Sequence, residues 1–118
     1  IAGALDIDLE VGLNGHILTR PPFASMYWTG PQLLAHMTVN GASVRTGDLF
    51  ASGTISGPQP GQLGSLLELT RNGAEPIHLP DGSERGFLLD GDEVVLTATA
   101  PGPTGRIALG EVRGRIVP

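Results

Sequence analysis

Apolar and polar positions alternate with period two at the start of the chain. Leu5, Ile7, Leu9, Val11 and Leu13 are spaced by Asp6, Asp8 and Glu10, the pattern of a half-buried antiparallel strand with one wet, acidic face. Asn14-Gly15 follows, a pair favoured in type I′ hairpin turns. His16-Ile17-Leu18-Thr19 then begins a return strand that Arg20-Pro21-Pro22 breaks. Beyond it the period changes. Thr29, Pro31 and Gln32 have the spacing of a capped helix start, and Leu33, Leu34 and Met37 share a helical face. Asn40-Gly41 is a stop signal, so the predicted helix is short, roughly two to three turns.

From Gly41 onward strand and turn signals alternate. Residues 48–51 predict a strand that enters a glycine-rich turn over 52–61. Residues 64–70 predict another strand, closed by the turn Arg71-Asn72-Gly73. Ile77-His78-Leu79 and residues 85–89 flank Pro80-Asp81-Gly82 as a hairpin. Asp90-Gly91-Asp92 turns tightly into a strand over 93–100, and 101–105 form a loop. In the last stretch Ile107 and Leu109 lie in one register, and Val112, Gly114 and Ile116 in the other; a bulge near Gly110 would reconcile them. No repeat or boundary interrupts this pattern. Residues 1–118 therefore read as one unit, mainly β, a mixed sandwich or roll with one short helix.

Composition narrows the class. With 18 glycines and 10 prolines, few helical windows escape a breaker, which excludes a long helical bundle. The glycines have no period and apolar runs lie between them, which excludes collagen and wholesale disorder. Seven basic residues, all arginine, stand against 12 acidic ones, for a net charge of −5 without any basic cluster; no nucleic-acid partner is expected. Cysteine is absent, so disulfides and thiolate metal sites are excluded, which fits a cytoplasmic protein. No apolar stretch reaches the 18 residues of a membrane-spanning helix, and no membrane partner is expected. The first twenty residues carry acids rather than a basic start, which argues against a signal peptide; with Ile1 first, the expectation is either that a start has been removed or that this is a fragment.

Few residues invite chemistry on pattern alone. Glu68 interrupts the apolar run Leu66-Leu67-Glu68-Leu69. On a strand it is either a desolvated carboxylate with a hydrogen-bonded partner and a tuned pKa, or a residue of a solvated face or a single charge guarding an edge. The stretch Ser52-Gly53-Thr54-Ile55-Ser56-Gly57-Pro58 offers backbone and hydroxyl groups to a carboxylate or phosphate, or is an ordinary turn. It lacks the lysine of a phosphate-binding loop. His16, His36 and His78 are not at metal-ligand spacing. Asp6, Asp8 and Glu10, like Asp90, Asp92 and Glu93, are oxygen-rich enough for a hard cation but read more simply as solvated strand and turn positions.

Longer strings carry more. Met26-Tyr27-Trp28-Thr29, Val39-Asn40-Gly41 and Arg45-Thr46-Gly47-Asp48-Leu49 resemble, in order and spacing, the carboxy-terminal part of the fumarylacetoacetase family. So do Ala51-Ser52-Gly53-Thr54-Ile55-Ser56-Gly57-Pro58, Gly64-Ser65-Leu66-Leu67-Glu68-Leu69 and Phe87-Leu88-Leu89-Asp90-Gly91-Asp92-Glu93-Val94. The resemblance implies a hydrolase that splits a carbon–carbon bond of fumarylacetoacetate, giving fumarate and acetoacetate in tyrosine and phenylalanine catabolism. It implies a Mg²⁺ or Ca²⁺ acting as Lewis acid on the diketone oxygens, and a His–Glu pair that activates water. Glu68 matches the glutamate of that pair, and Thr54 matches the threonine that binds a substrate carboxylate. By the same resemblance, this chain supplies roughly the second half of the catalytic domain, and the partners are a diketo-acid substrate, the missing amino-terminal part and a second copy in a homodimer.

The departures matter equally. The chain has no lysine and no Glu-x-Glu pair. In the family the metal carboxylates, the catalytic histidine, an arginine, a glutamine and a lysine lie earlier, and none of His16, His36 or His78 occupies the histidine's position. No metal ligand is therefore assigned here, and the chain alone is expected to be inactive. The turn Ser-Gly-Thr-Ile, in place of the Thr-Gly-Thr-Pro common in the wider superfamily, favours the fumarylacetoacetase branch. The alternatives are a superfamily member acting on acylpyruvates or related diketo acids, and a non-catalytic β binding or structural module.

Overall fold

The computed structural model describes residues 5–118 and is mainly β. Strand β1 (Asp8–Leu13) turns back into β2 (His16–Thr19). Asn14 and Gly15 both have positive φ, 49° and 81°, as a type I′ turn requires. The long strands β5 (Glu93–Gly102) and β6 (Gly105–Arg115) complete a four-stranded sheet in the order β2-β1-β5-β6. A separate two-stranded hairpin joins β3 (Ile77–His78) to β4 (Glu84–Arg85). Every strand pairing among the described residues is antiparallel.

The register sorts the sheet into two faces. Leu9, Val11 and Leu13 lie opposite Ala98, Leu96 and Val94, and the same row continues to Val112 and Gly114 on β6. Asp8 and Glu10 lie opposite Thr99 and Thr97 on the other face. There Arg20 pairs with Glu10 at 2.7 Å, Arg106 with Asp8 at 2.8 Å, and Arg113 and Arg115 both reach Glu93. The predicted bulge is present: Thr97 pairs with Glu111 but Thr99 pairs with Ala108, so Leu109 and Gly110 together face Ala98. Gly110 takes φ 83°, and the extra residue puts Ile107 and Leu109 on the same face as Val112.

Helix α1 (Gly30–Thr38) forms where the spacing placed it. Gln32 Oε1 accepts the Thr29 backbone N–H at 2.9 Å and the Thr29 hydroxyl at 3.0 Å. Gly41, at φ 87°, ends the segment.

Four expectations are corrected. Residues 64–70 are not a strand: Ser65 starts a one-turn helix, α2 (Leu66–Leu69), and Thr70 bonds back to the Leu66 carbonyl through its N–H and its hydroxyl. Residues 48–51 form no strand, because the Asp48 carboxylate caps the Arg45 N–H in a turn. The hairpin strand expected over 85–89 stops at Arg85, since Asp92 draws in both the Arg85 guanidinium and the Leu89 N–H. Finally, residues 101–105 are not a loop; β5 and β6 run on to a Gly102–Gly105 pair around Pro103 and Thr104.

One turn beyond the fold's regular elements carries unusual weight. Asp92 is 3% exposed and binds the Arg85 guanidinium through two hydrogen bonds of 2.8 and 2.9 Å. It also accepts from Asn14 Nδ2 and from the Leu89 N–H. Asn14 in turn accepts the Glu93 N–H at 2.8 Å. Together these bonds tie the β1–β2 turn, β4 and the start of β5 into one knot. Arg85 first, then Asn14 and the Leu89 N–H, hold the Asp92 carboxyl far below the usual carboxylate range, against the opposing effect of burial.

Candidate active site

The two residues singled out for chemistry meet in one cleft. It has a volume of about 340 Å³ and is lined by Met26, Tyr27, Trp28, Thr54, Ser56 and Glu68, with Ser25 and Ser65 at its edge. Three segments build it: the stretch before α1, the irregular 52–57 stretch and the start of α2.

Glu68 stands at the third position of α2. Its Oε2 accepts the Ser56 hydroxyl at 2.8 Å and the Ser65 hydroxyl at 2.9 Å. Its carboxylate is exposed rather than desolvated, and its pKa is lowered, by Ser56 first and then Ser65. Glu68 thus lies on a helix rather than a strand, exposed as a solvated-face residue would be and yet hydrogen-bonded. The arrangement was legible as Ser65-x-x-Glu68, a helix-start spacing of the kind used for Thr29-x-x-Gln32, but the surrounding leucines read as a strand.

The 52–57 stretch reaches α2 by close backbone approach. A Cβ at Gly64 would lie 2.0 Å from the Ile55 carbonyl oxygen, so only glycine admits the contact. The Gly64 N–H donates to Ser56 Oγ at 3.0 Å, and the Ser25 hydroxyl donates to the Ser56 carbonyl at 3.0 Å. Thr54 is exposed along the cleft wall, with no hydrogen bond from its hydroxyl to the described residues. Tyr27 and Trp28, the only Tyr and Trp, pack edge-to-face at 4.9 Å and also line the cleft.

None of the histidines lies in the cleft. His36 is exposed on α1, His78 bonds Glu84 at 3.1 Å on the surface hairpin, and His16 opens β2. No group of three or more His, Asp or Glu side chains is placed to hold a metal ion among the described residues. No helix among them is long and apolar enough to cross a membrane.

A hydrogen-bonded carboxylate, a threonine hydroxyl and an aromatic pair thus line one cleft, carried on a β scaffold. Residues 2–117 match the family model described as the C-terminal domain of fumarylacetoacetate (FAA) hydrolase, and the chain belongs to that hydrolase family. Human fumarylacetoacetase is 47% identical over 119 residues, covering 96% of this chain. The fumarylacetoacetase of Caenorhabditis elegans is 47% identical over 121 residues, and that of Arabidopsis thaliana 44% over 119. The chain spans only 28% of the length of each of these relatives.

Proposed function

We propose that these residues are the carboxy-terminal portion of an enzyme that hydrolyses the carbon–carbon bond of fumarylacetoacetate in tyrosine catabolism. The observation that carries the reading is the shared cleft: Glu68, its carboxylate held by Ser56 and Ser65, opens onto the same space as Thr54. In the proposed reaction, water adds its hydroxyl to the carbonyl carbon that becomes the new fumarate carboxylate. The bonding pair of the broken C–C bond stays with the acetoacetate carbon, which takes up the proton. Glu68 orients and supports a histidine contributed from outside these residues, which takes the water's proton. Thr54 donates its hydroxyl to a substrate carboxylate, and Tyr27 and Trp28 close one side of the cleft.

The donor set here does not fit a divalent cation, because one carboxylate flanked by two hydroxyls is not a ligand cage. The Mg²⁺ or Ca²⁺ of the proposed enzyme would be held by carboxylates supplied elsewhere in the full-length protein.

Glu68→Gln in the full-length protein tests the reading. The turnover of fumarylacetoacetate is expected to fall by about 10²-fold or more. A rate near that of the unmodified enzyme would reduce Glu68 to a structural helix residue. Faster turnover of an acylpyruvate than of fumarylacetoacetate would move the chain to the wider superfamily.

A further inference from the structure

We infer that Ser56 and Ser65 are positioning residues that pin one oxygen of Glu68, Oε2, and so fix which oxygen, Oε1, is presented to the proton-carrying partner across the cleft. The inference rests on the role proposed for Glu68 and adds how that carboxylate is aimed.

The hydrogen-bond directions carry the argument. Ser56 Oγ accepts the Gly64 N–H at 3.0 Å, which leaves its single proton to be donated, and that proton goes to Glu68 Oε2 at 2.8 Å. Ser65 Oγ accepts the Glu68 N–H at 3.4 Å and donates to the same Oε2 at 2.9 Å. Two hydroxyls from two different segments thus converge on one oxygen. Oε1 carries no hydrogen bond among the described residues. An oxygen already accepting two protons is a poor site for a third, so a proton shared with a partner is directed to Oε1. The same two bonds favour the ionised carboxylate, the form able to hold a histidine in one tautomer and orientation. Tyr27 is the other titratable side chain lining this cleft, and no guanidinium lines it. The two serine hydroxyls are therefore the leading groups of this chain that favour the ionised carboxylate, with the Gly64 and Ser65 N–H groups adding to them.

Ser56 depends on the glycine contact. Ser56 reaches Glu68 because the Ile55 carbonyl passes where a Gly64 side chain would be. The aim of Oε1 is thus built into the backbone rather than left to a free rotamer.

The test uses the full-length protein carrying this sequence. Ser56→Ala is expected to lower kcat by about 10- to 100-fold with little change in KM, the range seen when a group supporting a reacting residue is removed. Ser56→Thr keeps a hydroxyl and is expected to restore kcat. Added to Glu68→Gln, Ser56→Ala should cost nothing further.

A kcat loss that Ser56→Thr fails to restore, or a full additional loss in the Glu68→Gln background, would overturn the inference and leave Ser56 as a folding residue. Glu68→Gln at the unmodified rate would instead overturn the role of Glu68 itself, so the two failures are distinct. Ser65→Ala also removes the α2 cap; Ser65→Thr, which keeps the cap, is expected to behave as Ser56→Thr does.

Discussion

Asp92 shows how far a residue's weight can exceed its appearance in the chain. In the sequence it is one acid of a turn, Asp90-Gly91-Asp92, with nothing to separate it from its neighbours. In the fold it is buried and takes two bonds from Arg85, one from Asn14 and one from the Leu89 N–H. Its side-chain partners lie 7 and 78 positions away, and no local pattern encodes that convergence. Asn14 illustrates the opposite case, since its positive φ follows from Asn-Gly alone while its bond to Asp92 does not. Asp92→Ala is expected to destabilise the protein by about 3 kcal/mol or more, because it leaves a largely buried guanidinium unpaired. Denaturant titration at constant m-value reads that loss. The pH dependence has a definite sign. The folded-state carboxyl titrates below the unfolded one, so its contribution is complete above the ordinary aspartate pKa of about 4 and drains away as pH falls below it. The Asp92→Ala protein should accordingly show a shallower loss of stability between about pH 5 and pH 2.

At the scale of elements, the two helices separate what sequence spacing encodes from what it does not. Helix α1 was legible because its cap, proline and stop signals are all local. Thr29→Ala should cost about 1 kcal/mol, seen as a lower melting temperature. Helix α2 was not, because four residues cannot display a helical period and three of them are leucines. What selects the helix is Ser65 at its start and the left-handed run Arg71, Asn72 and Gly73 after it. Glycine 64 joins this helix to the 52–57 stretch. Gly64→Ala would force the Ile55 carbonyl away and is expected to cost about 3 kcal/mol, at the upper end for overpacking. The same variant should lose activity in the full-length protein even where it stays folded, since Ser56 moves with that carbonyl.

For the molecule as a whole, the described fold covers little of its own apolar surface. Among the described residues only Leu13 and Leu79 are buried hydrophobic residues, while Leu96, Ile107, Leu109 and Val112 all stay exposed along one sheet face. The accessible area of 8094 Å² compares with roughly 6,000 Å² expected for a folded monomer of this mass. The radius of gyration, 16.5 Å, exceeds the roughly 13 to 14 Å of a chain this long folded on itself. The 118-residue chain alone is therefore expected to bind a hydrophobic dye strongly and to run above monomer size in sizing chromatography; a sharp monomer peak without dye binding would contradict this. Sequence pattern gave the mainly β class and which residues share a strand, because those are local. It did not give how much of each face is covered, because coverage is set by what packs on it. The turn at Gly110 has a consequence of its own. By adding one residue to β6 it works as a parity switch, letting Ile107 and Leu109 share a side with Val112 while Arg113 and Arg115 stay with their acids on the other. Deleting that single codon would exchange the two sides of everything downstream, a heavier lesion than any one substitution in the strand.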